Sequence, residues 1–139
     1  MTADDGISPN LQGLDAFAFE PRRTEKPWGY ELLWGLGDTY CGKVLFVKAG
    51  ESLSLQFHRV KDEAWFFQSG RAMVEVGAVG KAVLSKEVVG PGAAFHLAPG
   101  TVHRVRALED TTILEVSTPH LDDIVRLEDR YGRADDSPL

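Results

Sequence analysis

Short apolar runs, separated by glycine, proline or aspartate, follow one another along residues 29–117. Valine, phenylalanine, tryptophan and threonine are common in them, and such residues favour β-strands. The regular spacing of these runs and of the turns between them is typical of an all-β sandwich or barrel. Examples are YELLW, KVLFVKA, SLSLQFH, EAWFFQ, AMVEV, KAVLSKEVV, AAFHL, HRVRAL and TILEVS.

The two ends of the chain differ from this central part. Residues 1–20 start polar and acidic and continue with an apolar stretch over residues 11–19, so we expect an N-terminal extension that packs on the barrel or on a partner. We expect the domain itself over residues 21–133. Residues 122–130 fit either a short helix or an edge strand, and residues 134–139 are predicted to be a flexible tail.

Length, charge and cysteine content narrow the class of protein. The 139 residues suffice for one domain with a proper hydrophobic core. The formal net charge of -6 argues against nucleic-acid binding through phosphate neutralisation, and no apolar run is long enough to cross a bilayer. The acidic start is unlike a secretory signal, and the single cysteine, Cys41, fits a reducing compartment. We therefore expect a cytoplasmic protein that binds neither membranes nor nucleic acid.

Two glycine-punctuated segments carry the residues best suited to chemistry. In the first, Gln56 and His58 lie two apart on a predicted strand, so both side chains project from one face. A four-residue turn then leads to Glu63 at the start of the next strand. In the second segment a Pro-Gly turn precedes His103. Inside a barrel these side chains can meet at one point, which predicts a metal site formed by Gln56, His58, Glu63 and His103.

Alternation along the same strands predicts the surroundings of these ligands. Trp65 and Phe67 share the face of Glu63 and are expected to form the apolar wall of a pocket, with Trp65 as a substrate-binding candidate. Beside His103, Val105 faces the same way while the flanking arginines at 104 and 106 point outward. Three apolar side chains are expected to face away from the first pair of ligands: Leu53, Leu55 and Phe57.

The chemistry of this ligand set narrows the choice of ion. Two imidazoles, one carboxylate and one amide oxygen suit a borderline divalent ion such as Zn, Fe(II), Mn or Ni, and an ion that takes five or six ligands keeps room for water or substrate. The alternative is that His58 and His103 are ordinary strand histidines and Glu63 a solvated carboxylate. The joint spacing of the two segments favours the metal, so we expect one divalent ion as cofactor.

The two segments resemble the paired motifs of the cupin superfamily. Four positions fit the first cupin motif at the right spacings: Gly50, His58, Glu63 and Gly70. Three fit the second: Gly92, Gly100 and His103. Gln56 stands where the first motif usually has a histidine, and Ala98 and Ala107 replace a proline and an asparagine of the second. The resemblance implies an all-β, single-domain cupin, that is, a double-stranded β-helix or jelly-roll barrel.

A closer resemblance, over nearly all of residues 22–133, is to the cupin domain of type II mannose-6-phosphate isomerases, which is often fused behind a mannose-1-phosphate guanylyltransferase. It is carried by four segments: KPWGY at 26–30, LSLQFH at 53–58, EAW at 63–65 and DDIVRLEDRYGR at 122–133. Mannose-6-phosphate isomerases use a Gln, His, Glu, His metal set, so the resemblance implies the four ligands named above.

The chain also departs from this family. Val60, Lys61 and Ala64 stand where the family has a histidine, an arginine and a second histidine. Residues that handle substrate or protons are therefore expected to be missing beside an intact metal set. This departure favours an altered substrate, or an altered function on a retained scaffold.

The last of the four segments holds candidates for phosphate binding, since arginine binds phosphate bidentately. Arg126 and Arg133 are candidate substrate-binding residues, accompanied by Arg130 and Tyr131. The alternative is a salt-bridged surface segment, because four carboxylates are interleaved with them: Asp122, Asp123, Glu128 and Asp129.

The alternation of residues along the strands says less about the direction of four further polar side chains. His96 is expected to face outward in a structural role. The directions of Tyr30, Lys43 and Glu115 stay open, because periodicity does not fix the register of a strand.

Three functions fit these observations. The favoured one is a metal-dependent sugar or sugar-phosphate isomerase, in which the ion polarises oxygens on two adjacent carbons and a base moves a proton through a cis-enediol. The base is not named by the sequence, since Glu63 would be tied to the ion. The alternatives are a non-haem Fe(II) oxygenase acting on a small organic substrate and a non-catalytic cupin that binds a small molecule or regulates a partner. We also expect a homodimer, with residues 11–20 or 29–34 as contact segments.

Overall fold

The structure, a computed structural model, describes residues 11–80 and 84–135. Expectations that concern residues 1–10, 81–83 and 136–139 lie outside the described residues. The predicted domain bounds stay predictions.

Within the described part, the chain is built almost entirely from short strands. A four-residue helix, Leu11–Leu14, and a 3-10 turn, Asp15–Phe17, precede them. The strands are β1 (Arg22–Lys26), β2 (Gly29–Leu36), β3 (Cys41–Val47), β4 (Leu55–Phe57), β5 (Glu63–Ser69), β6 (Ala72–Ala78), β7 (Ser85–Val89), β8 (Ala94–Leu97), β9 (Thr101–Ala107), β10 (Thr111–Ser117) and β11 (Val125–Glu128).

These strands form two antiparallel sheets that face each other. The first sheet has the order β1-β2-β3-β10-β5-β8, and the second has the order β11-β4-β9-β6-β7. Strands distant in sequence are neighbours in both sheets, as β10 lies between β3 and β5. The expected all-β jelly roll is confirmed.

The core lies between the sheets and follows from alternation along the strands. On β10, residues 111, 113, 115 and 117 are buried while the residues between them are more exposed. Phe67, Val105 and Ile113 are completely buried there and come from three different strands. Full burial of such side chains contributes roughly 1.5–3 kcal/mol each, so this cluster fixes the sheets around the space that the polar side chains of the site occupy.

The turn between β1 and β2 explains the glycine of the KPWGY segment. Trp28 packs into the core, and Gly29 has a φ of 153° that L side chains rarely adopt. A Cβ atom at Gly29 would lie 1.9 Å from the carbonyl oxygen of Phe46. Only glycine therefore lets this turn pass so close to the neighbouring strand.

The strand that carries two predicted ligands is shorter than the sequence indicates. Regular pairing begins only at Leu55, and residue 52 makes an isolated bridge to Arg106. Leu55 and Phe57 face away from the core, as predicted, and pack with Val102 and Val125 on the outer side of the second sheet. The prediction for Leu53 was wrong, because it packs in the main core. The period of two does not extend through residues 52–54, which have no regular strand geometry.

The ambiguous segment 122–130 contains the edge strand β11 rather than a helix. β11 pairs with β4 at the border of the second sheet, and Arg126 is the register partner of Gln56. The predicted strand over residues 81–89 is described as β7 from Ser85 onward. The pairing of β11 brings the C-terminal segment beside the first motif.

Candidate metal centre

Three strands deliver the predicted ligands to one place. Gln56 on β4 and His103 on β9 are register partners across the second sheet. His58 directly follows β4, and Glu63 opens β5 of the opposite sheet. The turn over residues 59–62 links the two sheets, so the four side chains come together at the end of the barrel where the chain crosses over.

The imidazoles and the carboxylate meet closely. Nε2 of His58 lies 2.9 Å and Nε2 of His103 lies 3.4 Å from Oε2 of Glu63. The two imidazole ring centroids are 5.4 Å apart. All three side chains are buried, and one ligand atom from each falls within 4.8 Å of the others. This spacing is suitable for a shared cation.

Backbone carbonyls fix the tautomer of both histidines. Nδ1 of His58 contacts the carbonyl oxygen of Asp123, and Nδ1 of His103 lies 2.8 Å from the carbonyl oxygen of Thr101. A carbonyl only accepts hydrogen bonds, so each Nδ1 must carry the proton. In the neutral ring Nε2 then presents its lone pair to the centre of the cluster, which is how metal-bound histidines are usually oriented.

This arrangement leaves acceptors facing acceptors. Oε2 of Glu63 and Nε2 of His103 are buried and have no hydrogen-bond partner. Two lone pairs from neutral imidazoles aimed at a carboxylate oxygen repel one another unless a cation lies between them. A buried polar atom without a partner costs about 1–3 kcal/mol, and more when it is charged. A divalent ion held by Glu63, His58 and His103 would satisfy all three groups, so the residues fit a metal.

Gln56 is placed where it can complete the set. Its side chain is buried at the same cavity, and its Nε2 donates to the carbonyl oxygen of Ser54 at 3.4 Å. With the nitrogen engaged, the amide oxygen is the atom available as a ligand. The role of Gln56 as fourth ligand stays a prediction.

The charge of Glu63 is maintained despite its burial. Burial alone would raise the pKa of this carboxyl, but hydrogen bonds from His103 and His58 in their protonated forms and the charge of Lys61 outweigh it, so without an ion the pKa lies well below its usual range. Trp65 also donates from Nε1 to Oε1 of Glu63 at 3.1 Å. Glu63 is therefore an anionic ligand at neutral pH.

A lysine and a second glutamate, which the sequence did not place, lie beside this cluster. Nζ of Lys61 is 3.0 Å from Oε2 of Glu115 and 3.6 Å from Oε1 of Glu63. Nε1 of Trp65 also reaches Oε1 of Glu115, at 3.4 Å. Although burial opposes it, the two carboxylates raise the pKa of Lys61. Lys61, which stands where the family has an arginine, is thus a buried cation beside the candidate ligands.

Asp123 organises the loop between the two ligand-bearing strands. Its carboxylate accepts the backbone N–H groups of residues 59, 60 and 61, at 3.0, 2.7 and 2.8 Å. These bonds lower the pKa of Asp123, although its partial burial opposes them. Its own carbonyl accepts the proton of His58. One residue thus holds both the loop and a candidate ligand, across 65 positions of sequence. Sequence reasoning gave Asp123 no such role.

Three of the candidate ligands, Gln56, His58 and Glu63, line a cavity of about 110 Å³, several times the space that one water needs. Trp65, Arg126 and Arg133 also line it, and their role in substrate binding stays a prediction. Arg133 is paired with Asp129 through two bonds of 2.8 and 3.0 Å. Nε of Arg126 is buried without a partner, and both its burial and the neighbouring charge of Arg133 lower the pKa of its guanidinium. Arg126 is the arginine that has capacity for an anion.

Other predicted residues lie elsewhere. Phe67 does not line the cavity and packs instead against Phe95, with ring centroids 5.9 Å apart. His96 is exposed and lies 2.7 Å from Asp62, so its outward position is confirmed. Lys43 points into the cavity and pairs with Glu31 at 3.2 Å.

The fold and the site define the class of protein. The structure is similar to that of oxalate decarboxylase from Bacillus subtilis, with a TM-score of 0.67 at 19% identity over 78% of this chain and 30% of that one. It is also similar to the capsular polysaccharide assembling protein CapF from Staphylococcus aureus, with a TM-score of 0.66 at 18% identity over 81% of this chain and 36% of that one. Together with the confirmed topology, these neighbours identify a cupin fold.

Sequence comparison specifies the family. The model of the family described as mannose-6-phosphate isomerase C-terminal matches residues 18–129, and the chain belongs to this family. It is 34% identical to mannose-1-phosphate guanylyltransferase 2 of Escherichia coli O157:H7 over 82% of this chain and 23% of that protein. It is also 34% identical to the alginate biosynthesis protein AlgA of Pseudomonas putida, over 92% of this chain and 27% of that protein. The chain thus spans about a quarter of the length of these relatives.

Between residues 11 and 135, apart from 81–83, the structure contains no helix long and apolar enough to span a bilayer.

Replacing Asp123 by alanine removes the carboxylate that holds residues 59–61 while keeping the backbone carbonyl that faces His58. We expect the affinity for Zn²⁺ to fall roughly 10- to 100-fold, the usual effect of losing a group that orients metal ligands. Competition against a chelating dye measures this affinity. Asp122→Ala removes an exposed neighbouring carboxylate and should leave the affinity unchanged. Equal affinities for the two variants would contradict the assigned role of Asp123.

Proposed function

We propose that this protein is a metal-dependent isomerase of a sugar phosphate, similar in reaction to mannose-6-phosphate isomerase. One observation carries the proposal: the buried meeting of two Nε2 lone pairs and an ionised carboxylate, which calls for a divalent ion. Membership of the mannose-6-phosphate isomerase C-terminal family supports the choice of reaction. The relatives are about four times longer than this chain, and the guanylyltransferase activity of the Escherichia coli protein is not proposed for it.

The charges around the cavity support an anionic substrate. The chain carries a formal net charge of -6, yet five basic and four acidic side chains line the cavity. Arg126 has an unsatisfied buried Nε at this cavity, and Lys26 also lines it. A phosphate accepts charge-assisted hydrogen bonds from such groups. We infer that Arg126 binds the phosphate of the substrate.

Each residue of the site has its own proposed role. Glu63, His58, His103 and Gln56 would hold the divalent ion. When bound, this ion supplies Lewis acidity toward the oxygens of two adjacent carbons. Trp65 stands against His103 with its ring perpendicular and 5.2 Å away, and it provides the apolar wall that orients the sugar. Burial of the site excludes bulk water, which strengthens every polar contact made to the substrate.

The metal site is tested with protein purified without added metal. We expect about one equivalent of a divalent ion in the wild type, as in other mononuclear sites, and none in the double variant His58→Ala/His103→Ala. His96→Ala/His120→Ala removes two exposed histidines and should keep the ion. The loaded wild type should interconvert mannose 6-phosphate and fructose 6-phosphate. Element analysis by mass spectrometry and a coupled assay measure the two properties.

The same experiment distinguishes the isomerase from an Fe(II) oxygenase and from a non-catalytic binding protein. Wild type that neither holds an ion nor takes up zinc, manganese or iron would refute the ligand assignment. Tight iron with substrate-dependent oxygen uptake would point instead to the Fe(II) oxygenase. Saturable binding of the sugar phosphate without turnover would point to a non-catalytic binding protein.

Arg126→Ala tests the phosphate contact. A hydrogen bond to a charged group is worth about 1.5–3 kcal/mol, so KM for mannose 6-phosphate should rise at least about tenfold while kcat changes little. Arg130→Ala is the matched control, because Arg130 instead donates to the carbonyl oxygen of Gly50 at 2.7 Å. Steady-state kinetics with mannose 6-phosphate and with free mannose distinguish the roles. A rise in KM of the same size for both sugars would show that Arg126 does not bind the phosphate.

We also propose that the protein is a homodimer that pairs through the outer face of the first sheet. Four large apolar side chains are exposed on this face, and Trp34 belongs to the contact segment 29–34 expected from the sequence: Trp34, Phe66, Leu114 and Val116. Contiguous apolar surface of this kind usually marks an interaction site. The other predicted segment, residues 11–20, also exposes apolar side chains, at Leu14, Phe17 and Phe19.

Trp34→Glu tests this pairing by placing a charge on the apolar face. Sedimentation equilibrium should give twice 15.3 kDa for the wild type and a single copy for the variant. Val88→Glu, an equally exposed position on the other sheet, should stay dimeric. If removal of residues 1–20 breaks the dimer and Trp34→Glu does not, the N-terminal extension is the interface instead.

A further inference from the structure

A buried carboxylate beside the candidate metal cluster has no part in holding the ion. Glu115 lies on β10 with its side chain 3% exposed, and it lines the same cavity as the ligands. It does not belong to the group of side chains that converge within reach of one ion. Its neighbours are Nζ of Lys61 at 3.0 Å and Nε1 of Trp65 at 3.4 Å.

Burying such a pair needs a reason other than stability. Removing two charges from water is costly, and their mutual attraction often does not fully compensate for the lost hydration. An apolar pair of the same volume is often as stable or more stable. The Lys61–Glu115 pair lines the cavity beside the candidate ligands and is not part of the packed apolar core, which favours a chemical role for it.

The other carboxylates of the cavity are already engaged. Glu63 belongs to the candidate ligand set, and the carboxylate of Asp123 accepts three backbone N–H groups. Glu31 pairs with Lys43 at 3.2 Å, whereas both donors to Glu115, Lys61 and Trp65, also contact the candidate ligand Glu63. Among the described acidic residues that line the cavity, Glu115 is therefore the one placed beside the cluster and not committed to it.

We propose that Glu115 is the acid–base residue of the isomerisation, with Lys61 as the residue that positions it; this inference rests on the proposed function. In the open-chain aldose, the Glu115 carboxylate takes the proton from C2. The electron pair of that C–H bond forms the C1–C2 double bond, and the carbonyl electrons move to O1. Glu115, now a carboxylic acid, returns the proton to C1, while the proton of the C2 hydroxyl passes from O2 to O1. Aldose and ketose interconvert with no oxidant or reductant.

Lys61 and Trp65 give Glu115 a fixed direction. Both donate toward its carboxylate from the side of Glu63, so the three groups form a bridge between the base and the candidate ligands. A proton acceptor held next to the atoms that a bound ion would polarise is what a hydrogen shift between adjacent carbons requires. Lys61 thereby has a role in this chain as a positioning group.

The test compares Glu115→Gln, Glu115→Asp and Glu75→Gln with the wild type, each loaded with manganese. Glutamine keeps the shape of Glu115 but takes no proton, so kcat for mannose 6-phosphate should fall roughly 10²- to 10⁴-fold, the usual contribution of a general base. KM should stay within a few fold, and aspartate should restore part of the rate. Glu75 is also a buried, ion-paired glutamate, 2.7 Å from Arg104, but it lies outside the cavity, so its variant should keep full activity.

Two measurements other than turnover show whether a loss of activity comes from the missing base or from a loss of metal or ligand binding. Metal content should be the same in all four proteins, and calorimetry should give an unchanged Kd for 5-phosphoarabinonate, a sugar acid phosphate that cannot react. In D₂O the wild type should incorporate deuterium at the carbon that receives the proton, and Glu115→Gln should not.

Turnover and deuterium incorporation by Glu115→Gln within tenfold of wild type would overturn the assignment of Glu115 alone. Loss of metal from this variant would also overturn it, by making Glu115 a ligand. A metal-loaded wild type without any turnover would refute the proposed isomerase and Glu115 together.

Discussion

Glu63 carries a negative charge that the fold has removed from water, and much of the surrounding structure exists to accommodate that charge. Two imidazoles face one of its oxygens, while Trp65 and Lys61 face the other. The two oxygens thus have different surroundings. Oε2 faces the histidine lone pairs, which need a cation, whereas Oε1 faces the donors of Trp65 and Lys61. Polar side chains line the cavity at this end of the barrel, and the packed core around Phe67 and Ile113 fills the rest.

Positioning in this site is done largely by the backbone. Each histidine is oriented by a carbonyl, and the loop between the ligand-bearing strands is held by three N–H groups bound to one carboxylate. Backbone groups are common to every sequence that adopts the fold, so the orientation of the two histidines does not depend on the side chains at 60, 61 and 64. These three positions can therefore differ from the family pattern without loss of the metal site. Their side chains affect the chemistry next to the ion rather than the ability to bind one.

The strands and the convergence of His58, Glu63 and His103 could be predicted because both are local signals: a period of two and the spacing of two motifs. Leu53 was misplaced because alternation holds only where a strand is regularly paired, and pairing starts two residues later. The direction of Glu115 needed the register of β10 against both of its neighbours, which no single strand reveals. The role of Asp123 depends on contacts 62–65 residues away in sequence, and nothing near it in the chain signals them.

The position of Asp123 along the chain also bears on biosynthesis. The candidate ligands lie between residues 56 and 103, yet the group that orients His58 and holds the 59–61 loop comes 20 residues after the last of them. A chain emerging from the ribosome would expose all four ligands before that group is available, and domains generally fold as units once their elements are complete. The centre would then acquire its final geometry, and with it its preference among ions, only after residue 123 has emerged and β11 has paired with β4. Selection of the ion would therefore follow the docking of the segment 122–130 rather than precede it.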